Sequence, residues 1–340
     1  MSRSIQLVYV EREVAEEPRA REILSRFPAA ARVPIDRFGE VFNRRAQSFR
    51  LQKKRPALIL ARKHGGLVLP APAEYGVGGR HNFYFSHMLN CVYDCRYCFL
   101  QGMYRSAHYV LFVNYGDFRE AIDRRLSETP GEDLWFFSGY DCDSLALDRV
   151  TGFVDAFVPF FAGRERAWLE LRTKSTRIDA LLAQEAFPRC VVAFSFTPAE
   201  HAALETGVPA IERRLEAMRR LGERGWPLGL RFDPLLYSAS WEDRYRRLFE
   251  TVFDGLDGHE VHSVGFGPFR LPRDFHRRME RLYPDEPLFA GGLDEGSIVS
   301  YGEKREGEML DFCATELERF VPAERLYPCV PPRAMPPPSP

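Results

Sequence analysis

The sequence of 340 residues lacks the features of several specialised classes of protein. It carries almost no net charge, since 47 basic and 48 acidic residues leave a formal charge of −1, which excludes a grossly basic nucleic-acid-binding protein but not a local basic groove. No apolar run approaches the ~20 residues of a membrane span. The charged start, Met1–Glu13, lacks the apolar core of a signal peptide. We therefore expect a cytoplasmic protein that does not enter a membrane.

The sequence also lacks an even set of cysteines. Its seven cysteines are an odd number, and three of them fall within eight residues while the others are scattered. In a cytoplasmic protein this pattern argues against a disulfide framework. The clustered cysteines therefore point to metal binding or redox chemistry.

Strand-like and helical segments alternate from about residue 83 onwards. Leu134–Phe137, Ala167–Arg172 and Cys190–Phe196 read as buried strands, while Val150–Phe161 and Ile211–Leu221 carry apolar residues at helical spacing. This alternation predicts α/β units around a parallel sheet. About six units fit, which is too few for a closed eight-fold barrel of ~250 residues. We therefore predict an α/β fold with a partial (β/α)6 TIM-like barrel.

The remaining chain is predicted to surround that barrel. Residues 1–80 are expected to form a small N-terminal α/β cap, and residues 81–285 the barrel itself. Residues 286–330 form a C-terminal extension with a helix and a hairpin near residues 297–308. The proline-rich tail, residues 331–340, is expected to be disordered.

Cys91, Cys95 and Cys98 have the spacing Cys-x3-Cys-x2-Cys in a loop that follows a predicted strand. Structural zinc takes four protein ligands, and no fourth ligand follows at short spacing, His108 being the nearest candidate. Electron-transfer [4Fe–4S] clusters also use four cysteines. Three thiolates therefore favour a [4Fe–4S] cluster with one open iron for S-adenosylmethionine, and zinc or incidental thiols are the alternatives. Reductive cleavage of that cofactor yields a 5′-deoxyadenosyl radical, which abstracts a hydrogen atom.

The cysteine motif followed by Phe99-Leu100-Gln101 resembles the radical S-adenosylmethionine family of spore photoproduct lyases and related "DNA repair photolyase" proteins. The resemblance implies a partial (β/α)6 barrel, a pyrimidine photoproduct or another modified base in DNA as substrate, and a flavodoxin- or ferredoxin-type electron donor. It leaves the oligomeric state open. Weaker matches extend it, in order, over nearly the whole chain: Leu7–Glu11, His108–Asn114, Leu171–Lys174, Ile178–Leu182 and Phe194–Phe196.

Lys174 and Ser195 stand at the predicted C-terminal ends of two strands, where a positioned cation and a hydroxyl can bind a carboxylate. The resemblance implies that both hold the methionyl end of S-adenosylmethionine. The alternative is a surface lysine and an ordinary polar serine.

Three further residues are candidates for cofactor binding. Ser138 and Gly139 follow a strand, and the resemblance implies that a small motif here lets the backbone approach the cofactor amine; the alternative is a plain turn. Arg231 ends another strand. It either faces the cofactor carboxylate or sugar, or it forms a structural pair with Asp233.

Tyr97, Tyr140 and Cys142 are the candidate catalytic residues. In the family, a cysteine donates a hydrogen atom to the product radical, and the resemblance places Tyr140 at that position. Cys142 lies two residues later. On a strand it would share a face with Tyr140, whereas in a turn its side chain could point in any direction. Both side chains can donate a hydrogen atom, and the alternative for Cys142 is a small buried hydrophobe. The family also has two tyrosines flanking the third cysteine, of which Tyr97 is present while Phe99 replaces the other. These changes put lyase activity on the spore photoproduct in question.

Damaged DNA is the expected partner, because a damaged base leaves the stack more easily than an intact one. The candidate contacts are Tyr301–Arg305 on the predicted hairpin and five basic residues, Arg44, Arg45, Lys53, Lys54 and Arg55. The alternative is a solvated charged surface. Two other functions remain open. One is a radical enzyme that acts on a peptide, nucleoside or small metabolite, and the other is a non-catalytic iron–sulfur module for nucleic-acid binding or redox sensing.

Overall fold

The structure, a computed structural model, describes residues 5–72, 75–256 and 258–329. The predicted tail at residues 331–340 lies outside the described residues. No helix in the described ranges is long and apolar enough to cross a membrane.

The strands are β1 Leu7–Glu11, β2 Ala31–Ile35, β3 Leu58–Ala61, β4 Leu69–Pro70, β5 His81–Tyr84, β6 Met88–Leu89, β7 Asp94–Cys95, β8 Tyr109–Phe112, β9 Leu134–Phe137, β10 Ala167–Thr173, β11 Cys190–Ser195, β12 Glu205–Thr206, β13 Leu228–Leu235, β14 Val261–Pro268, β15 Arg270–Pro272, β16 Asp294–Glu295, β17 Ile298–Ser300 and β18 Leu326–Pro328. The helices are α1 Pro18–Ser25, α2 Phe49–Lys54, α3 Leu100–Met103, α4 Tyr115–Glu128, α5 Asp148–Thr151, α6 Phe153–Ala162, α7 Asp179–Leu182, α8 Ile211–Glu223, α9 Trp241–Gly255, α10 Arg273–Leu282 and α11 Glu303–Leu317.

The largest sheet is a curled, open half-barrel of eight strands in the order β18-β14-β13-β11-β10-β9-β5-β4. Six consecutive strands, β5, β9, β10, β11, β13 and β14, run parallel to their neighbours. β18 adds a further parallel strand at one edge, and β4 adds an antiparallel strand at the other. The predicted partial (β/α)6 barrel is confirmed.

The outer face of the half-barrel packs against helices through apolar side chains. In α6, Phe153, Phe157 and Phe161 recur every four residues and therefore lie on one side of the helix. They pack around Phe85, whose ring centroid lies 5.3 Å from that of Phe157. On the sheet side, β9 contributes Phe136, which also contacts Phe161. This aromatic layer fixes the strands whose ends carry the candidate site.

The inner face of the half-barrel is partly charged. Arg231 Nη2 lies 2.6 Å from Glu170 Oε2, and Arg172 Nε lies 2.9 Å from Glu170 Oε1. Arg231 also donates to the backbone oxygen of Ser263 at 3.0 Å. Burial alone would raise the pKa of Glu170, but the guanidinium groups of Arg231 and Arg172 outweigh it and lower that pKa.

Contrary to the expectation from the sequence, Arg231 lies within β13 and does not end it. Its side chain is fully buried and pairs with Glu170, and the expected structural pair with Asp233 is not formed, since the ionic contact of Asp233 is to Arg270. Gly229 gives it room, since a Cβ at that glycine would lie 3.1 Å from the guanidinium. Arg231 is therefore a structural residue of the barrel interior.

A second sheet carries the N-terminal residues, with the order β2-β1-β3-β8-β6. The first four strands are parallel, and β8 enters this sheet although it follows the cysteine loop in the chain. Val8 and Val10 of β1 pack with Ile23 and Leu24 of α1 in a separate core. The segment between β5 and α4 therefore ties the second sheet to the half-barrel.

The C-terminal hairpin lies earlier than predicted. β16 and β17 pair antiparallel over residues 294–300, and β15 pairs with the other edge of β17. Residues 303–308, placed in the hairpin by the sequence analysis, instead begin α11. Gly302 has a φ of 83°, which turns the chain out of the extended conformation after β17. Glu303 and Glu306 occupy the first turn of α11, where negative charge is favourable.

The buried charge network of the barrel should dominate its response to mutation. We predict that Glu170→Gln lowers the free energy of unfolding by about 3–5 kcal/mol, because it leaves Arg231 and Arg172 buried without their counter-charge. Glu128→Gln, which breaks an exposed pair with Arg125, should cost about 0.5 kcal/mol or less. Urea denaturation of the two variants checks this difference, and similar costs for both would contradict it.

Candidate functional site

The three clustered cysteines line a single cavity. Their loop follows β5 and β6 and starts at Asn90, whose φ of 69° turns the chain sharply. The Asn90 side-chain amide donates to the backbone oxygens of Ser106 at 2.8 Å and His108 at 2.7 Å, which anchors the loop to the segment before β8. The lining comprises the three cysteines together with Phe49, Lys53, Asn90, Tyr93, Leu100 and Gln101.

Lys53 holds the cysteine loop through hydrogen bonds to the loop backbone. Its ammonium group donates to the backbone oxygens of Cys91 at 3.1 Å and Tyr93 at 3.0 Å, and the residue is only 8 % exposed. The sequence analysis places Lys53 among the basic residues for DNA. That expectation is wrong for Lys53, because its ammonium group is bound to the backbone of the cysteine loop.

The donor set of the cavity fits an iron–sulfur cluster better than a single metal ion. Burial raises the pKa of Cys91 to about 12 and also raises the pKa values of Cys95 and Cys98, so thiolates here require a positive group bound among them. Within the described ranges, no three His, Cys, Asp or Glu side chains form a group suited to one ion. Cysteines that each bind a different iron of a cluster need not converge on one point.

The zinc alternative also loses its fourth ligand. His108 Nδ1 accepts a hydrogen bond from the backbone nitrogen of Ala57 at 3.0 Å, so this ring nitrogen is bonded to the backbone just before β3. Burial lowers the pKa of His108 to about 4, which keeps the imidazole neutral. His108 is therefore part of the framework around the loop.

Lys174, Tyr97 and Glu205 form a buried polar network beside the cysteines. Lys174 Nζ lies 2.7 Å from Glu205 Oε1 and 2.9 Å from the Tyr97 hydroxyl, which itself donates to Glu205. Arg214 contacts the other carboxylate oxygen at 3.5 Å. Burial alone would raise the pKa of Glu205, but Lys174 and Arg214 lower it to about 2.

Glu205 is the residue that sequence reasoning missed. It belongs to β12, which pairs antiparallel with β7 so that Glu205 stands opposite Cys95. It follows an alanine-rich segment, Ala199–Leu204, in which no residue is buried, so nothing in the local sequence marks Glu205 as buried. Only the pairing with the cysteine loop, 110 positions earlier in the chain, gives it a place in the site.

The other predicted cofactor residues also lie at the C-terminal ends of strands. Thr173 of β10 stands opposite Phe194 of β11, so Lys174 and Ser195 follow as neighbours on adjacent strands. Ser138 follows β9, and its hydroxyl is already bonded to Ser144 at 2.9 Å. The structure therefore brings Lys174 and Ser195 together.

Gly139 has a packing reason to be glycine. A Cβ at this position would lie 2.9 Å from Arg172 Cβ and from the Ser144 hydroxyl oxygen. The close approach of the Gly139 backbone to β10 requires the absence of a side chain, whether or not a cofactor amine binds nearby.

Tyr140 and Cys142 lie in different surroundings. Tyr140 stacks on Tyr84 at a centroid distance of 4.4 Å, meets Tyr75 edge-on at 5.2 Å and lies 5.5 Å from Phe99. We call these four rings the aromatic cluster. It contacts the cysteine loop through Phe99, directly after Cys98. Neither Tyr75 nor Tyr84 was singled out in the sequence.

Cys142 is buried in the core of the N-terminal sheet. It packs with residues such as Val8, Met88 and Leu111, and its thiol points to the backbone oxygen of Ser138 at 3.8 Å. The chain from residue 138 to 143 is made of bends and irregular backbone, not a strand, so the condition under which Cys142 would share a face with Tyr140 does not apply. The alternative, a small buried hydrophobe, describes its surroundings.

Comparison with known proteins gives matches over most of the chain. The family model for spore photoproduct lyase matches residues 82–289. Spore photoproduct lyase of Bacillus subtilis (strain 168) is 26% identical over 203 residues, which is 58% of this chain and 59% of that protein, so the match spans less than two thirds of that relative. Spore photoproduct lyase of Geobacillus sp. (strain Y412MC61) is 24% identical over 254 residues, 69% of this chain and 73% of that protein.

Solved structures show the same fold. A spore photoproduct lyase mutant with bound AdoMet and dinucleoside spore photoproduct superposes with a TM-score of 0.83 at 20% identity, covering 96% of this chain and 99% of that one. A spore photoproduct lyase complexed with dinucleoside spore photoproduct gives a TM-score of 0.82 at 19% identity, covering 96% and 98%. The half-barrel and the N-terminal sheet are therefore parts of one shared architecture.

The network around Glu205 should make stability depend on pH in a defined window. The pKa of Glu205 is about 2 in the folded chain and near 4.5 in the unfolded one, so its ionic contribution is fully present above about pH 4.5 and is lost toward pH 2. We predict that the difference in unfolding free energy between wild type and Glu205→Gln is largest at neutral pH and narrows across that window. Urea denaturation between pH 3 and pH 7 measures it.

Glu212→Gln, on the exposed face of α8, is the matched control. It should stay within about 0.5 kcal/mol of wild type at pH 7. A Glu205→Gln difference that is constant with pH would show that the ionised carboxylate does not stabilise the fold.

Proposed function

The chain belongs to the spore photoproduct lyase family, as its cysteine motif predicts, and on that premise we propose that it is a radical S-adenosylmethionine enzyme acting on a pyrimidine photoproduct in DNA. The observation that carries this proposal is the cavity lined by Cys91, Cys95 and Cys98. Among the described residues around it, the lining offers no further cysteine and no histidine. A three-thiolate site leaves one iron of a [4Fe–4S] cluster for a cofactor.

Cys91, Cys95 and Cys98 would hold the cluster, and Lys174 and Ser195 would bind the carboxylate of the methionyl group. When bound, the cluster and S-adenosylmethionine supply a 5′-deoxyadenosyl radical by one-electron reductive cleavage. Lys53 holds the cysteine loop in place through two backbone oxygens. Cys95 is buried and Cys91 and Cys98 are half-buried, which limits the access of water to the reacting centre.

Glu205 has a positioning role in this proposal. Its ion pair directs Lys174 from the end of β10 toward the cysteine loop, because the lysine would otherwise be free to turn to solvent. The same carboxylate accepts a hydrogen bond from the Tyr97 hydroxyl, so the O–H bond of Tyr97 keeps a fixed direction. Tyr97 is then held ready to exchange a hydrogen atom with a neighbouring radical.

Tyr140 is the better candidate for the final hydrogen-atom donor. Its ring lies in the aromatic cluster and contacts Phe99 beside the cysteine loop. Cys142 lies within electrostatic reach of Cys91, but its thiol is buried among the apolar side chains of the other sheet. Both side chains carry a hydrogen that a carbon radical can abstract, so position decides between them. The change from cysteine to tyrosine would then move the donor to a larger side chain at the same point of the chain.

An aromatic surface near the C-terminal sheet supports a nucleobase or its damaged form as substrate. Tyr237 is 40 % exposed, its backbone nitrogen donates to the Tyr301 hydroxyl at 3.0 Å, and the Arg305 guanidinium lies 4.2 Å from its ring centre. Exposed aromatic rings stack on extruded bases, and a neighbouring cation binds phosphate. Two residues of the predicted DNA region, Tyr301 and Arg305, thus take part in this surface.

An anaerobic turnover experiment tests the proposed function. The chain is reconstituted with iron and sulfide, reduced with dithionite and given S-adenosylmethionine with DNA that carries spore photoproduct. We expect thymine monomers together with 5′-deoxyadenosine, both measured by mass spectrometry, and no thymine change in undamaged DNA. Cys98→Ala is the control and should release neither product, because it removes a cluster ligand.

The other outcomes separate the remaining functions. Equal slow release of 5′-deoxyadenosine with both DNAs, and no DNA product, would point to a peptide, nucleoside or small metabolite as substrate. No 5′-deoxyadenosine despite a complete cluster would indicate a non-catalytic module.

The choice between Tyr140 and Cys142 gives a second prediction. Tyr140→Phe should lower the thymine formed per 5′-deoxyadenosine by about tenfold, a change of ~1.4 kcal/mol in the barrier, since it removes the donor O–H and keeps the ring. Cys142→Ala should leave the same ratio within about twofold of wild type. The reverse pattern would assign hydrogen transfer to the cysteine.

A further inference from the structure

A strongly basic surface lies on the outer side of α2. Residues 41–73 contain eight arginines and lysines and no aspartate or glutamate. Arg50, Lys54 and Arg55 are exposed, and none of them pairs with a carboxylate of the described residues. Arg96, from the cysteine loop, lies at the same groove, where it pairs with Glu286 at 2.7 Å. In a chain with a net charge of −1, three exposed cations without a carboxylate partner among the described residues require a reason.

An apolar side chain lies on this basic surface. Leu51 is 65 % exposed, the highest value among the large hydrophobic residues that the structure describes. It borders an open groove of about 440 Å³. The groove is also lined by one carboxylate, Asp94, whose ionic contact is to Lys53 at 3.8 Å, and by Ser48, Arg50, Lys53, Lys54, Arg96 and Tyr283. We call this region, made of Arg50, Leu51, Lys54 and Arg96 around the groove, the α2 surface. A hydrophobic centre with a charged rim is the usual arrangement of a protein–protein contact.

The α2 surface is next to the cysteine cavity. Phe49 and Lys53 of α2 line that cavity, and Lys53 also borders the groove, so only the side chains of this one helix separate the two. Arg96 lies in the chain between Cys95 and Tyr97. A protein bound to the α2 surface would therefore come within one helix of the cysteines without entering the half-barrel.

We propose that the α2 surface is the docking site for the reductant, a small acidic electron-carrier protein. The proposal rests on the proposed function, which requires one electron for each cleavage of S-adenosylmethionine. The carrier is oxidised by one electron and the cluster is reduced by one, with no transfer of atoms. Opposite charge steers such partners together at high rates, and the small contact keeps the complex short-lived.

The α2 surface suits an acidic protein better than DNA. Phosphate contacts need positive charge alone, and an exposed leucine among those charges gains nothing from a phosphate backbone. A protein partner can cover Leu51 and gain the free energy of burying it. The aromatic surface proposed for the base, at Tyr237 and Arg305, belongs to the C-terminal part of the chain and does not include α2.

The test compares two sources of electrons for the reconstituted full-length enzyme. Arg50→Glu combined with Lys54→Glu reverses the charge of the α2 surface. Arg213→Glu combined with Arg220→Glu makes the same change of charge on exposed positions of α8 and is the matched control. Release of 5′-deoxyadenosine is measured with dithionite and with a reduced acidic flavodoxin. The affinities for the oxidised flavodoxin and for DNA that carries spore photoproduct are measured by calorimetric titration over a range of salt concentrations.

We expect the α2 variant to lose about tenfold or more in flavodoxin affinity and flavodoxin-driven rate at low salt, equivalent to ~1.4 kcal/mol. Its dithionite-driven rate should stay within about twofold of wild type, and the α8 variant should resemble wild type in every assay. Leu51→Gln should weaken flavodoxin binding without changing its salt dependence, because it removes apolar contact and no charge.

Unchanged flavodoxin affinity in the α2 variant would overturn the proposal, as would an equal loss in the α8 variant. Loss of DNA binding with flavodoxin binding intact would assign the α2 surface to DNA and also overturn it. Absence of 5′-deoxyadenosine from wild type with dithionite would instead refute the proposed function. The calorimetric titration would still decide whether the acidic carrier binds the α2 surface.

Discussion

The pairing of charge inside an open half-barrel is the constraint on which the site depends. Glu170 is fully buried and is neutralised by Arg231 and Arg172, one from β13 and one from its own strand. Arg172 then lies 4.2 Å from the ring centre of Tyr75, which contacts Tyr140. The charges that stabilise the sheet thus also support the aromatic cluster beside the cysteine loop. A closed barrel fills its interior with apolar layers, whereas here a polar core leads directly to the functional edge.

Two positions at which the sequence resemblance implies a substitution lie in contact. The resemblance places Phe99 at the position of a family tyrosine and Tyr140 at that of a family cysteine, and their rings lie 5.5 Å apart. Each change alone removes a group that can carry a hydrogen atom from its usual place. Their contact supports the proposal that hydrogen transfer in this chain follows a rearranged path through the aromatic cluster, with Tyr97 retained on the other side of Cys98.

The sequence was sufficient wherever local pattern determines structure. The apolar residues of β9 and α8 are enough to predict these two elements, and the spacing of the three cysteines is enough to predict that they share one binding site. Glu205 and Arg231 were beyond such reasoning, because a charged residue reads as exposed or ligand-binding until its partner is known, and both partners lie far away in the chain. The surroundings of Cys142 could not be predicted for a related reason. The strand periodicity ends at Phe137, and the bends that follow place the Cys142 side chain in the core of the N-terminal sheet. What escapes prediction is therefore tertiary pairing of polar groups and the direction of side chains in turns.

The short ladder between β7 and β12 has a consequence for biogenesis. Glu205 stands opposite Cys95, and Arg96 donates its backbone N–H to Leu204, so the metal-binding loop takes its shape from residues more than a hundred positions later. Contacts of such sequence separation form late, after local elements have assembled. A nascent chain would carry the three cysteines unrestrained while ribosomes are still adding the strands that complete the pocket. Maturation with iron and sulfide is then a post-translational event, performed on a nearly finished fold.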